Sequence, residues 1–385
     1  MGWIKETRRS LTKNWEFRRR QKPGKPVRAA VRWEDDRCIT TVGDREFFIR
    51  SEAIKSKDVQ VYDFLIFPLT VLSAQFHLRI EMDFPISESA AQRLPLLRMF
   101  IDGWCMARMA TPDLTPLEVV ANPERAQGGG LLCMSGGFDS TTAALEARGT
   151  DFTHGLLFAG ADYFSADAPA FRALRDRVEE IARRLGFQLI VIETDLRKLH
   201  IDWELFHGWV LAMGLHFHAS RFSKGGVGLD WPIYHDHIIQ PWGGSEGLYS
   251  ACSLMHFEIS SFNRLITREE KAAKIARSEF DLLPLISTCI ASQDSSNNCG
   301  VCWKCLNARI RVMAAGYDLG LYCDQAPDIL SVYPDGLDKD HRGLRLSLLG
   351  TLPLIECVEP GPLRDHLQRY VDQIRAKLVR LSPRR

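Results

Sequence analysis

The spacing of apolar residues predicts a mainly β-stranded N-terminal stretch. Between Lys25 and Leu78, the runs AAVRWED, CITTVGDREFFIR, DFLIFPL and QFHLRIEM mix β-branched and aromatic residues and are separated by turn residues, a pattern typical of short strands. SAAQRLPLLRMFIDGWCMARMA has the periodicity of a helix and is expected to bend at Pro95. TPDLTPLEVVANPERAQGG, which holds three prolines and ends in glycine, is interpreted as a linker.

Strands and helices alternate after this linker. Four apolar runs, GLLCM, HGLLFAG, QLIVIET and GGVGLD, predict buried strands, and helices are predicted between them at 141–148, 167–185 and 203–222. We expect Asp167 to cap the second helix and Gly186 to end it in a left-handed conformation. The alternation predicts an α/β fold with a doubly wound parallel sheet, in which ligands bind beyond the carboxyl ends of the strands.

Length and composition are those of a folded protein with a full core. The chain has 385 residues, of which 45% are hydrophobic and 25% are charged. Its longest apolar stretch, Phe64–Ala74, contains Pro68 and is too short for a membrane span, so it is interpreted as a buried strand or helix. Four of the ten cysteines lie within seventeen residues, which does not suit a disulfide framework and favours a reducing cytoplasm.

The charge balance argues against nucleic-acid binding over the whole surface. Forty-nine basic and 48 acidic residues give a net charge of +1. The N-terminus is a local exception, because Lys5–Arg28 holds ten Lys or Arg residues against two glutamates. This segment is either a solvated tail or a contact for nucleic acid or an acidic partner.

The stretch SGGFDS at 135–140 lies between a predicted strand and a predicted helix. Its two glycines allow main-chain N–H groups to converge on one ligand, and the helix directs its positive end to the same place. Four hydroxyl side chains add donors that favour phosphate: Ser135, Ser140, Thr141 and Thr142. Asp139 would repel a phosphate unless a cation lay between them, so its presence indicates Mg²⁺. The alternative is a tight turn in which Asp and Ser act only as caps.

Five residues of this stretch match the signature loop of the PP-loop ATP pyrophosphatases: Ser135, Gly136, Gly137, Asp139 and Ser140. The resemblance implies an adenine nucleotide alpha hydrolase type of fold and a loop that grips the pyrophosphate of ATP while a substrate oxygen attacks the α-phosphate. It implies catalytic roles for Asp139 and Ser140 and contact with ATP along the whole run from Ser135 to Thr141, including Phe138. Asp162 and Asp195 follow the second and third strands, where each is either a ligand contact or a solvated turn residue.

A second motif is a C-x9-C-x2-C-x2-C array formed by Cys289, Cys299, Cys302 and Cys305. Two-residue gaps let neighbouring thiolates turn onto one ion, and four thiolates make a tetrahedral Zn²⁺ site with no open position. The metal is therefore expected to be structural. An iron–sulfur cluster and redox-active cysteines are the alternatives.

The two motifs together resemble the QueC-like PP-loop ATPases, the family of 7-cyano-7-deazaguanine synthase, and are closer to the QueC-like proteins of prokaryotic antiviral systems such as Qat and CBASS. The segment TREEKAAKI fits the helix start that this family has between loop and zinc site, with a capping box between Thr267 and Glu270. The resemblance makes Arg268 and Lys271 candidates for contact with phosphate or carboxylate, or else residues of a solvated helix. Trp242, in the turn PWGG, could stack on a purine-like base or pack in the core.

The resemblance covers about half of the chain and divides it into four parts. These are a basic tail (1–24), an N-terminal α+β extension (25–127), a PP-loop ATPase domain (128–316) with a zinc lobe at 289–305, and a mostly helical C-terminal extension (317–385). It implies an enzyme that uses ATP and Mg²⁺ to adenylate the carboxylate of a deazaguanine-like molecule, with ammonia, a protein or an RNA as acceptor. A tRNA-modifying enzyme and a non-catalytic nucleotide-binding scaffold are the alternatives.

Overall fold

The computed structural model describes residues 26–104, 109–160, 166–236, 241–289, 298–317, 328–332 and 341–381. Its strands are β1 Val27–Glu34, β2 Arg37–Val42, β3 Arg45–Ser51, β4 Arg79–Ser87, β5 Asp113–Val120, β6 Gly130–Cys133, β7 Phe152–Ala159, β8 Gln188–Thr194, β9 Lys224–Gly228 and β10 Glu258–Phe262. Its helices are α1 Ile66–Phe76, α2 Glu88–Gly103, α3 Phe138–Ala147, α4 Pro169–Leu185, α5 Trp203–Phe217, α6 Glu246–Ala251, α7 Arg268–Ser278, α8 Trp303–Ala314, α9 Ile329–Val332, α10 His341–Cys357 and α11 Pro362–Leu381. None of the described helices is both long and apolar enough to cross a membrane.

These strands form a mostly parallel ten-stranded sheet in the order β10-β9-β6-β7-β8-β3-β2-β1-β4-β5. The five strands from β10 to β8 are all parallel. The alternation of strands and helices predicts four of them, whereas β10 was not predicted. β3 pairs antiparallel with β8, so the N-terminal strands extend the same sheet. The α/β class with a mostly parallel sheet is confirmed.

Helices cover both faces of this sheet. One apolar cluster joins α1, α2 and α5, with Phe67, Leu97 and Trp209 among its buried members. A second cluster joins α3, α4 and α7, represented by Ala143 and Ile181. β6 and most of β7 are buried between the two clusters, which accounts for their continuous apolar runs. A third cluster packs α8 against the C-terminal helices α10 and α11.

Three local predictions were wrong. DFLIFPL is not a strand, because Ile66–Phe76 is helical and almost all of its side chains are buried, so its apolar residues show no helical face. The proline-rich segment interpreted as a linker contains β5, which among the described strands pairs only with β4 and is the edge strand of the sheet. A proline such as Pro116 is tolerated in an edge strand, because one side of such a strand has no neighbouring strand to accept a main-chain hydrogen bond. Ala168, not Asp167, is the N-cap of α4, while Gly186 ends the helix at a φ of 84° as expected.

Candidate nucleotide and metal sites

The glycine loop lies where the strand order of the parallel sheet reverses. β6 pairs with β7 on one side and with β9 on the other, and the chain turns from each strand toward a different face. Such a switch point leaves a crevice beyond the carboxyl ends of the two central strands, and this is where open α/β sheets bind ligands. Ser135–Ser140 follows β6 directly, and Leu229 and Asp230 follow β9.

The loop conformation depends on its glycines and on Ser140. Gly136 has a φ of 75°, and a Cβ there would lie 2.8 Å from Cγ2 of Val178. Gly137 is the N-cap of α3, so the first N–H groups of that helix face the crevice. Ser140 closes the turn, because its Oγ accepts a hydrogen bond from the Ser135 main-chain N–H at 3.1 Å and lies 3.3 Å from the Gly137 carbonyl oxygen. The result is a compact turn at the N-terminus of α3.

The predicted loop residues differ in how accessible they are. Ser135 is exposed, and Gly137 and Asp139 are half-buried, so these can reach a ligand. The hydroxyls of Thr141 and Thr142 are completely buried and have no hydrogen-bond partner within the described residues. Phe138 is also buried, in the core cluster of α3. A ligand could therefore contact Phe138 and Thr141 only through their main chain.

Lys271 and Asp139 form an ion pair across the crevice. The Lys271 Nζ donates hydrogen bonds to Asp139 Oδ1 at 2.6 Å, to the Leu229 carbonyl at 2.6 Å and to the Asp230 carbonyl at 3.1 Å. The lysine side chain is 0% exposed, whereas that of Asp139 is 32% exposed. Lys271 thus uses all three of its donors to join α3 to the end of β9. The capping box of Thr267 and Glu270, confirmed by both hydrogen bonds, fixes the start of the helix that carries it.

Arg268 and Trp242 both contact the carboxylate of Asp230. The indole N–H of Trp242 donates to this carboxylate at 3.0 Å, and Arg268 donates to it at 3.3 Å. The Arg268 guanidinium also lies over the Trp231 ring, 4.3 Å from its centroid. Both candidates therefore border the crevice, and each is already engaged by a carboxylate. Sequence reasoning missed Asp230, because a single acid after a short strand carries no signal of this role.

The structure places one of the two aspartates that follow the second and third predicted strands. Asp195 accepts a hydrogen bond from the Phe48 main-chain N–H at 2.8 Å, so it joins β8 to the N-terminal strands and does not face the crevice. Asp162 lies outside the described residues. Asn263, which sequence reasoning missed, donates from Nδ2 to the Asp139 carbonyl oxygen at 2.6 Å and so supports the first turn of α3.

The four predicted cysteines come together in one group. The Sγ atoms of Cys289, Cys299, Cys302 and Cys305 all lie within 4.8 Å of one another. Gly300 takes a φ of 71°, which permits the tight turn between the second and third cysteines, and Cys302 is the N-cap of α8. Hydrogen bonding with the Cys289 and Cys302 thiols, together with burial, raises the pKa of the Cys305 thiol.

This group fits a single tetrahedral metal ion. Zn–S bonds of about 2.3 Å place the sulfur atoms of a tetrahedron about 3.8 Å apart. The distance between Cys299 Sγ and Cys305 Sγ is 3.9 Å. A cluster of several iron atoms would hold its thiolates farther apart, so the geometry favours one ion such as zinc. Four thiolates around it leave no position for a substrate.

Comparisons of the chain with protein-family models, with curated proteins and with solved structures found no match. The two motifs therefore remain the basis of the resemblance to QueC-like PP-loop ATPases. The structure adds that the glycine loop follows a strand of a mostly parallel α/β sheet and that the four cysteines lie together.

Proposed function

We propose that the chain is a QueC-like, ATP-dependent enzyme that adenylates a carboxylate. The observation that carries this proposal is the position of the loop Ser135–Ser140 at the switch point of the sheet, with a helix N-terminus and an acidic side chain at its rim. The order of the five parallel strands is consistent with an adenine nucleotide alpha hydrolase fold, which forms part of the proposal.

Asp139 would hold the magnesium ion that accompanies ATP. Its Oδ1 is occupied by Lys271, whereas Oδ2 accepts no hydrogen bond from any described residue. Mg²⁺ prefers oxygen ligands and usually joins one or two carboxylates to phosphate oxygens, where it neutralises negative charge. Lys271 supports this arrangement by keeping the carboxylate in one orientation.

In the proposed reaction, an oxygen of the substrate carboxylate attacks the α-phosphorus of ATP. The bond from that phosphorus to the oxygen bridging to the β-phosphate breaks, and pyrophosphate leaves with the electron pair. An amine then attacks the acyl carbon, loses a proton and displaces AMP. Loop N–H groups from Gly136 to Ser140 would bind the phosphates and orient them for this in-line attack.

The substrate we propose is a deazaguanine-type acid, as the resemblance implies. With ammonia as the acceptor, the product is an amide. The oxygen of this amide then attacks a second ATP with release of pyrophosphate, and AMP leaves with that oxygen as the nitrogen loses its protons, which gives a nitrile. With an amine of a protein or RNA, the product is a conjugate. The extensions on both sides of the nucleotide-binding part would offer surface to such an acceptor, in keeping with a role in antiviral defence.

Product analysis tests the proposal. The protein should release pyrophosphate and AMP, and no ADP, from Mg-ATP and 7-carboxy-7-deazaguanine. Asp139→Asn should abolish this release, because the amide keeps a hydrogen-bond acceptor for Lys271 but loses the charge that holds Mg²⁺. Asp151→Asn is the matched control, since the Asp151 side chain is 62% exposed and lies just before β7, at the amino ends of the parallel strands and away from the loop. Turnover with bulk tRNA alone would favour tRNA modification, and ATP binding without any turnover would favour a scaffold.

A further inference from the structure

The segment that leads into the cysteine group contacts the glycine loop directly. The Ser287 main-chain N–H donates a hydrogen bond to the Gly136 carbonyl oxygen at 2.8 Å. A Cβ on Gly137 would lie 3.5 Å from the Ser287 carbonyl oxygen, so the main chain of Ser287 lies against both glycines. Ser287 stands only two residues before the metal ligand Cys289.

The residues between these two points are fixed by the lobe itself. The Thr288 N–H donates to Oδ1 of Asn298 at 2.9 Å, and Nδ2 of Asn298 donates back to the Ile286 carbonyl at 2.8 Å. The Thr288 hydroxyl lies 4.0 Å from Cys305 Sγ. The continuous main chain from Ser287 to Cys289 therefore connects the loop to the cysteine group, and the Asn298 side chain holds it on both sides of Ser287.

We propose that metal binding by the four cysteines positions the glycine loop for phosphate, with the main chain of Ser287 as the positioning element. A metal ion holds Cys289 and so keeps Ser287 in place against Gly136. Loss of the ion releases the segment 286–289 and with it one side of the loop. This inference rests on the proposed function, because it takes the phosphates of ATP as the ligand of the loop.

Coupling of this kind is reciprocal. If metal tightens the binding of ATP by some factor, ATP tightens the binding of metal by the same factor. At equilibrium, saturating Mg-ATP should therefore leave more zinc on the protein in competition with a chromogenic chelator. The direct contact through one hydrogen bond makes a several-fold effect reasonable, since about 1.4 kcal/mol corresponds to a factor of ten.

Two variants of Ser287 separate the main chain from the side chain. Ser287→Pro removes the N–H donor and should weaken ATP binding by about tenfold, measured by calorimetry on zinc-loaded protein. Ser287→Ala keeps the N–H and loses only the side-chain contact with Arg177, at 3.4 Å, so its ATP affinity should equal that of the wild type. Equal affinity in both variants would overturn the proposal.

Hydrogen exchange gives a readout that does not depend on ATP or on the proline variant. Removal of zinc from the wild-type protein should speed exchange of the Ser287 amide and of the Ser135 amide, which closes the loop on Ser140. Amides of β1 and β2 serve as the folding control. Unchanged exchange at Ser287 and Ser135 on zinc removal would refute the coupling. Failure of the wild-type protein to bind ATP under all conditions would instead refute the proposed function and leave this exchange test standing.

Discussion

The Lys271 ammonium lies 2.6 Å from Asp139 Oδ1 although its side chain is entirely buried. Burial of an ammonium group is costly unless its charge and its donors are all compensated. Here one carboxylate supplies the charge, and the Leu229 and Asp230 carbonyls accept the other two hydrogen bonds. The pair joins the loop after β6 to the end of β9 and so holds the walls of the crevice at a fixed separation.

Replacing Lys271 by Met should destabilise the protein by about 2–4 kcal/mol, because it leaves the Asp139 carboxylate without its cation and two carbonyls without a donor. Partial exposure of Asp139 keeps this figure below that of a fully buried pair. Urea unfolding measures the change. Lys274→Met is the matched control, since Lys274 is exposed one turn further along α7 and should change stability by no more than about 0.5 kcal/mol. Equal stability of the two variants would contradict the buried pair.

Gly136→Ala should abolish nucleotide binding. At a φ of 75° the alanine would have to adopt the left-handed conformation, which residues with a Cβ rarely take. Its Cβ would also lie 2.8 Å from Cγ2 of the buried Val178. Gly149→Ala separates the two effects, because Gly149 has a φ of 78° and nothing within 4 Å of the added carbon. We expect Gly149→Ala to cost about 1–2 kcal/mol of stability and to keep full nucleotide binding. Loss of binding in both variants would show that backbone strain alone, wherever it lies, disrupts the site.

The sequence predicts β6, β7 and β8 well, because each contains a continuous apolar run. Gly186 and the Thr267–Glu270 capping box were also predicted correctly, because each depends only on residues close together in the sequence. β10 was missed, because its sequence EISSF has no such apolar run. The helix Ile66–Phe76 could not be distinguished from a strand for the opposite reason. It is apolar on nearly every side, so neither the period of a helix nor that of a strand is visible.

The candidate site shows the same limit. The loop and the four cysteines are each contiguous in sequence, so their residue types and spacing are enough to predict them. The Lys271–Asp139 pair joins positions 132 residues apart. From the sequence, Lys271 was a candidate for contact with phosphate or carboxylate, or else a residue of a solvated helix, and neither interpretation includes this buried ion pair. Likewise, Asp195 follows a strand, as a ligand residue in such a sheet would. Its carboxylate instead accepts a hydrogen bond from β3, and no local sequence pattern predicts that β3 lies beside β8.

Metal analysis should find about one zinc ion per chain, and Cys302→Ser should lose it and lower the melting temperature. Cys357→Ser controls for loss of a thiol, because Cys357 is exposed and lies outside the group of four. Elemental analysis and thermal unfolding measure both effects. A brown protein that contains iron would contradict the assignment of a single zinc ion, and retention of zinc by Cys302→Ser would exclude Cys302 as a ligand.

Acid should destabilise the fold through buried histidines. Burial lowers the pKa of His216 to about 3 and that of His218 to about 4. Below a pH of about 6.5 the unfolded chain therefore binds protons that these imidazoles do not accept in the folded protein, and stability falls with pH by up to about 1.4 kcal/mol per unit for each histidine. Asp63 acts in the opposite direction, because burial raises its pKa to about 6 and the folded protein takes up that proton first. The histidines outnumber it, so the net effect below pH 6 is a loss of stability.

His218→Asn tests this account, because an Asn amide can still donate to the Gly214 carbonyl, which lies 2.8 Å from Nδ1 of His218 in the folded protein. The free energy of unfolding is measured in urea between pH 4.5 and 7.5. It should fall less steeply with decreasing pH than in the wild type, because unfolding of the variant takes up about one proton fewer. His77→Asn replaces an exposed histidine and is the matched control. The same pH dependence in His218→Asn as in the wild type would mean that the folded protein protonates His218 as readily as the unfolded chain does, which would contradict the lowering of its pKa by burial.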